Sequence, residues 1–144
     1  VAYCTSTDLE TAMGPTELTR VSDVQKIGNR DAAVITDAIA DADAWIDSFV
    51  AKQRAVPLAT VPRVIKRISV QESIFILKGR RQGATDRERD QHDENERWLE
   101  MLAAGKVTLG VDPQPAASAL VAPDVVLVEE DDRESTAESL EGFW

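Results

Sequence analysis

The chain has 144 residues, 43% of them hydrophobic, with 16 Lys+Arg against 26 Asp+Glu for a formal net charge of −10. That suits one domain, or one domain and a tail, and its acidity argues against a protein that grips phosphates through clustered Lys and Arg. The single cysteine, Cys4, excludes an internal disulfide framework or a Cys-rich metal site, and no apolar run nears the ~18 residues that would cross a bilayer.

The opening residues VAYCTSTDLE lack a charged-then-apolar leader pattern, so assembly in the cytoplasm is expected. Thr7 and Glu10 have the spacing of a capping box, in which each side chain satisfies a free backbone N–H at a helix start. The short helix they open, about 8–13, stops at Gly14-Pro15. A further turn or two follows over 16–21, and Gly28-Asn29 marks a loop.

The long helix 31–54 has a strong signal. Val34, Ile35, Ala38, Ile39, Ala42, Trp45, Ile46, Phe49 and Val50 recur at three- and four-residue steps, with Asp37, Asp41, Asp43 and Asp47 on the remaining surface. Pro57 and Pro62 bracket a connection, and Pro62 suits a helix start, where its missing N–H costs nothing. The next helix, 62–78, spreads apolar residues round more than one face and is expected to be the most buried. It ends on Lys78, Arg80 and Arg81, the sign that a helix C-terminus favours. A second box, Thr85 with Glu88, opens a helix over 86–104 that Gly105 ends. Its first half, Asp86 to Glu94, reads as charged on every face; its second half docks through Trp98, Leu99, Met101 and Leu102.

Residues 111–144 differ in kind. They hold one basic and nine acidic residues together with Pro113, Pro115 and Pro123, so they read as an extended arm following a folded domain over 1–110. Val125, Val126, Leu127 and Val128 form a β-branched run suited to a short strand on a partner's sheet edge. Leu140, Phe143 and Trp144 place apolar and aromatic anchors at the far end, which suggests docking on another chain. The fold class is therefore all-α, four to five helices with an extended C-terminal arm.

Catalysis needs a positioned base with a nucleophile, or paired carboxylates in a pocket. His92 stands in the most charged turn and reads as a surface residue, and Cys4 lies near the terminus without a histidine close in sequence. Asp41 and Asp43 point apart on a helix, and the Lys78–Gly83 segment lacks a phosphate-loop spacing. No catalytic, cofactor or metal site is expected. The basic residues Arg63, Lys66, Arg67, Lys78, Arg80 and Arg81 suit pairing with an acidic neighbour better than DNA in so acidic a chain.

The order of several short motifs carries a resemblance. Ala2-Tyr3-Cys4-Thr5-Ser6-Thr7-Asp8-Leu9-Glu10, the Asp-rich helix through Ala42 and Ile46-Asp47, and the linker Pro57-Leu58 and Val61-Pro62 before Ile65-Lys66-Arg67-Ile68 come first. Arg97-Trp98-Leu99, the Gly105–Gly110 segment and a terminal Leu140-Glu141-Gly142-Phe143 follow. Together they resemble the Mu-like bacteriophage head-to-tail adaptor, or head-completion, proteins. Lys52-Gln53-Arg54-Ala55 replaces that family's Tyr-rich stretch, and Trp144 extends its usual end.

The resemblance implies a non-enzymatic virion connector in the head–tail neck. It would form a ring, commonly of about twelve copies, beneath the portal protein. The ring would carry genomic DNA without reading its sequence, and a stopper or tail-terminator protein would sit below. In such a ring Asp86, Glu88, Asp90, Asp93 and Glu94 are candidates to face the channel. Arg63, Lys66, Arg67, Arg80 and Arg81 are candidates to pair between subunits with Asp37 and Asp41. The alternative is a non-viral helical regulatory module with an acidic tail.

Overall fold

The computed structural model describes residues 1–81 and 83–110. Five helices follow one another: α1 Ser6–Met13, α2 Pro15–Ser22, α3 Ala32–Val50, α4 Arg63–Arg81 and α5 Asp86–Ala103. Among the described residues there is no strand, and the all-α expectation holds. The expected arm and its Val125–Val128 strand lie outside the described residues.

Local chemistry sets most helix ends. Gly14 closes α1 and begins α2 at φ +87°, a left-handed backbone that strains any side chain, and Pro15 takes the first position of α2. Asp31 caps α3 by accepting from the N–H groups of Ala33 and Val34. Thr85 and Glu88 form the anticipated box on α5. The box on α1 is a different one. Thr5 and Asp8 form it, not Thr7 and Glu10: Thr5 has the extended backbone a cap requires, Thr7 lies inside the helix, and Glu10 is engaged by Arg30 at 2.8 Å.

Two other ends depart from expectation. α3 stops at Val50, four residues early, and the Gln53 side chain instead donates to the carbonyl of Ala103 at 2.9 Å, satisfying the end of α5. α4 runs on to Arg81, because Gly79 weakens a helix without breaking it.

α4 is the hub. It packs against every other helix, with α3 its main partner and α5 lying on both. It has the largest share of covered positions, 13 of its 19 residues being buried or half-buried against 11 of 19 in α3, although α3 has seven fully buried residues to its six.

The apolar core forms two clusters. One joins Tyr3, Ile46, Val50, Leu58, Ile65, Ile68, Leu99, Leu102 and Leu109, with Trp45, Phe49 and Trp98 packed on it. The other joins Cys4, Leu9, Leu18, Val21, Ile35, Ala38, Ile39 and Leu77. The late turns of α3 thus meet the early turns of α4, and the early turns of α3 meet Leu77, so the pair runs antiparallel. Burying such side chains is worth ~1.5–3 kcal/mol each, which is what holds short helices like α1 and α2 in place.

Candidate interaction surfaces

Between the two apolar clusters lies a layer of polar side chains. Asp43 sits between Ile39 and Ile46 on α3, and Ser69, Glu72 and Ser73 sit between Ile68 and Leu77 on α4; all four are buried. Asp43 accepts from the backbone N–H of Tyr3 at 2.9 Å and from the Ser69 hydroxyl at 2.6 Å. That hydroxyl has one proton, given to Asp43, so the Cys4 thiol, 3.2 Å away, donates to Ser69 Oγ. Burial pushes both the Asp43 carboxyl and the Cys4 thiol above their ordinary pKa, offset only in part at Asp43 by the bonds it accepts from Ser69 and Tyr3. Cys4, though near the terminus, is 2% exposed and bonded into the core.

Tyr3 completes this side. Its hydroxyl donates to Asp47 and accepts from the N–H of Leu58 at 3.1 Å, tying the N-terminal segment to α3 and to the 51–62 connection. Burial, and then the bond to Asp47, push its pKa up to about 12.

His92 likewise departs from its expected surface position. Its ring stacks on Phe75 at 4.6 Å and on Trp45 at 5.1 Å, and Nδ1 lies 2.6 Å from the buried Glu72. Asn95 donates to the other Glu72 oxygen at 3.0 Å. The first half of α5 is therefore not solvent-facing all round: Glu88 and His92 turn inward, as does Asn95 just beyond it. Burial alone would raise the Glu88 pKa, but the Lys78 ammonium and the N–H and hydroxyl of Thr85 outweigh it and hold the carboxyl below its usual range. His92, Asp93 and Glu96 bring one ligand atom each within 4.8 Å of one another, a trio on one helix with Nδ1 already bonded to Glu72.

The charges singled out in the sequence divide into two sets. Arg80 reaches Asp41 at 2.7 Å within the chain, Lys66 reaches Asp8 at 3.0 Å, and Arg81 donates to the carbonyl of Asp23 at 2.5 Å. The pairing anticipated between subunits is thus partly met inside one. Arg63, Arg67, Asp37, Asp90, Asp93 and Glu94 are exposed. Asp86 is exposed too, beside Arg89 at 3.3 Å. On α5, Asp86, Asp90, Asp93 and Glu94 follow one another at helical steps along the outer face, with Glu88 on the inner one.

Among the described residues, two of the surface grooves are sizeable. One, of about 600 Å³, runs between the N-terminal segment and α3 and is lined by Ile35, Ile39, Ala40 and Ala44 with Asp43 and Asp47. The other, of about 690 Å³, runs between α1 and α4, with Ala12, Val64, Val70 and Gln71 in it and Asp8, Arg63, Lys66 and Arg67 around it. The terminal anchors Val125–Val128, Leu140, Phe143 and Trp144 lie outside the described residues.

The sequence reading missed Tyr3, Glu72, Ser69 and Asn95 as organising residues. A signal existed for those on α4: Ser69, Glu72 and Ser73 follow Ile65 and Ile68 at three- and four-residue steps, in phase with the buried stripe.

A small helical body with an internally tied polar layer and charged outer faces defines a class: an all-α protein whose free chemistry is on its surface. Residues 3–126 match the family described as Bacteriophage Mu, Gp36, and the chain belongs to that family. It is 35% identical over 81 residues to the Mu-like prophage FluMu protein gp36 of Haemophilus influenzae, covering 56% of each chain. It is 35% identical over 91 residues to Gene product J of Escherichia phage Mu, covering 63% of each. The chain thus spans a little over half the length of these curated relatives. The protein is a Mu-like bacteriophage protein, and the non-viral alternative falls with that membership.

Proposed function

We propose that this protein is a non-enzymatic virion component, a head-to-tail adaptor that forms a ring beneath the portal and extends the DNA channel toward a stopper or tail terminator. Its place would be the neck of the particle. The observation that carries the reading is the family membership together with the disposition of polar groups. The side chains with chemical potential, Cys4, Asp43, Ser69, Glu72 and His92, are bonded to one another and clamp helices together. On α5, Asp86, Asp90, Asp93 and Glu94 are left at the surface, with Arg87 and Arg89 exposed among them.

Channel electrostatics support the same reading. A bore lined by Asp86, Asp90, Asp93 and Glu94 repels phosphate, so DNA passes without adhering. A closed ring is a head-to-tail assembly in which two different patches of each subunit complement one another, and this chain carries basic patches on α4 and acidic ones on α3 and α5.

The test is native mass spectrometry and negative-stain microscopy of the full chain, alone and with the portal protein of its own phage. A ring, free or seated on the portal, is expected. A chain that stays monomeric in both conditions and is absent from purified particles would refute the proposal.

A further inference from the structure

The α1–α4 groove has a composition that specifies a ligand. Arg63 and Arg67 stand one helical turn apart on its border, exposed, with no carboxylate paired to either among the described residues. Lys66, between them, is half exposed and reaches Asp8. Ala12, Val64 and Val70 supply apolar surface. The groove thus asks for two things at once: carboxylates for the arginines and an apolar side chain for the floor.

Residues 129–144 of the sequence offer both. They hold seven acidic residues and one basic, together with Leu140, Phe143 and Trp144. We propose that the α1–α4 groove of one subunit receives the 129–144 segment of a second copy of the chain, with acidic residues on Arg63 and Arg67 and an aromatic anchor on the apolar floor. The proposal deepens the ring reading, because it names the surface by which one subunit holds the next. A groove filled by a different patch of a neighbour is a heterologous contact, the kind that closes into rings. The 18 residues between 110 and 129 can span at most ~65 Å, ample to reach an adjacent molecule.

The experiment uses full-length copies with complementary lesions. One carries Leu140→Ala, Phe143→Ala and Trp144→Ala, which disables its tail and leaves its groove. The other carries Arg63→Glu and Arg67→Glu, surface changes that disable the groove and leave the tail. Circular dichroism checks that both fold. Mixed, they should form 1:1 pairs by native mass spectrometry while neither self-associates, and added salt should disperse the pairs.

A labelled 129–144 peptide should bind the tail-disabled copy at least tenfold more tightly than a scrambled peptide of equal charge. Adding Arg63→Glu and Arg67→Glu to that copy should cost a further tenfold or more. No pairing in the mixture, equal binding of the scrambled peptide, capture of duplex DNA in preference to the peptide, or an unaltered chain that stays monomeric because its own tail fills its groove would each overturn the proposal. Rings that assemble on the portal from Arg63→Glu, Arg67→Glu copies would also sink this contact, yet leave the neck reading standing. Failure of the unaltered chain to meet the portal would instead strike the neck reading itself.

Discussion

Replacing Tyr3 by Phe isolates the work of one hydroxyl. The ring stays in the apolar cluster with Ile46, Val50 and Leu58, so no cavity opens. Two hydrogen bonds are lost. The bond to Asp47 is charge-assisted, a kind worth about 1.5–3 kcal/mol, and half-buried Asp47 recovers part of that by turning to water. Leu58 is 5% exposed, and its N–H loses its acceptor, which costs about 1–3 kcal/mol. The expected loss is about 2–4 kcal/mol, or roughly 8–16 °C in melting temperature for a folded unit of this size. Urea denaturation followed by far-UV circular dichroism should show a lower midpoint at an unchanged slope. A loss under about 0.5 kcal/mol would refute the reasoning, since it would mean the hydroxyl ties nothing together.

Tyr3 is the only tyrosine, so absorbance at 295 nm reads it directly: ionisation should await about pH 12 in the folded chain and occur near 10 in urea. Because the folded value is the raised one, its stabilisation is intact below pH ~10 and fades as pH climbs toward 12. Lys78→Met should destabilise by about 1 kcal/mol at neutral pH. The folded Glu88 pKa is depressed, so that difference should shrink as pH falls below ~4, a trend that acid titration of both proteins checks. Glu72→Ala should cost at least about 2 kcal/mol in urea melts, since it strands buried Asn95 and releases His92. Ile68→Ala should cost about 2–5 kcal/mol, measured the same way, by opening a cavity where the α3, α4 and α5 side chains meet.

Much of the architecture was legible because it rests on local rules. The α3 stripe, the Gly14-Pro15 break and the Thr85–Glu88 box each carry a steric or hydrogen-bonding cause within a few residues. Where the reading failed, tertiary contacts chose between equal local options. Thr5-x-x-Asp8 and Thr7-x-x-Glu10 are both plausible boxes, and the engagement of Glu10 by Arg30, twenty residues on, accompanies the choice of the first. Nothing near Val50 announces a stop, because Gln53 is drawn across to α5. His92 looked solvent-facing among charged neighbours in sequence, yet the aromatic slot that holds it comes from α3 and α4. The charged surfaces were readable as composition, whereas the split between Arg80, already paired, and Arg63 and Arg67, open to a partner, needed three dimensions.

The polar layer between the two apolar clusters also fixes the alignment of the helices. Greasy stripes alone tolerate sliding by a turn, since one isoleucine replaces another at little cost. Here a one-turn slip of α4 along α3 would carry Ser69 away from Asp43, and a slip against α5 would part Glu72 from His92 and Asn95. Misaligned packings are thereby penalised steeply, leaving the described helices one alignment to offer. In the ring we propose, such uniformity of the building block would let the last joint close.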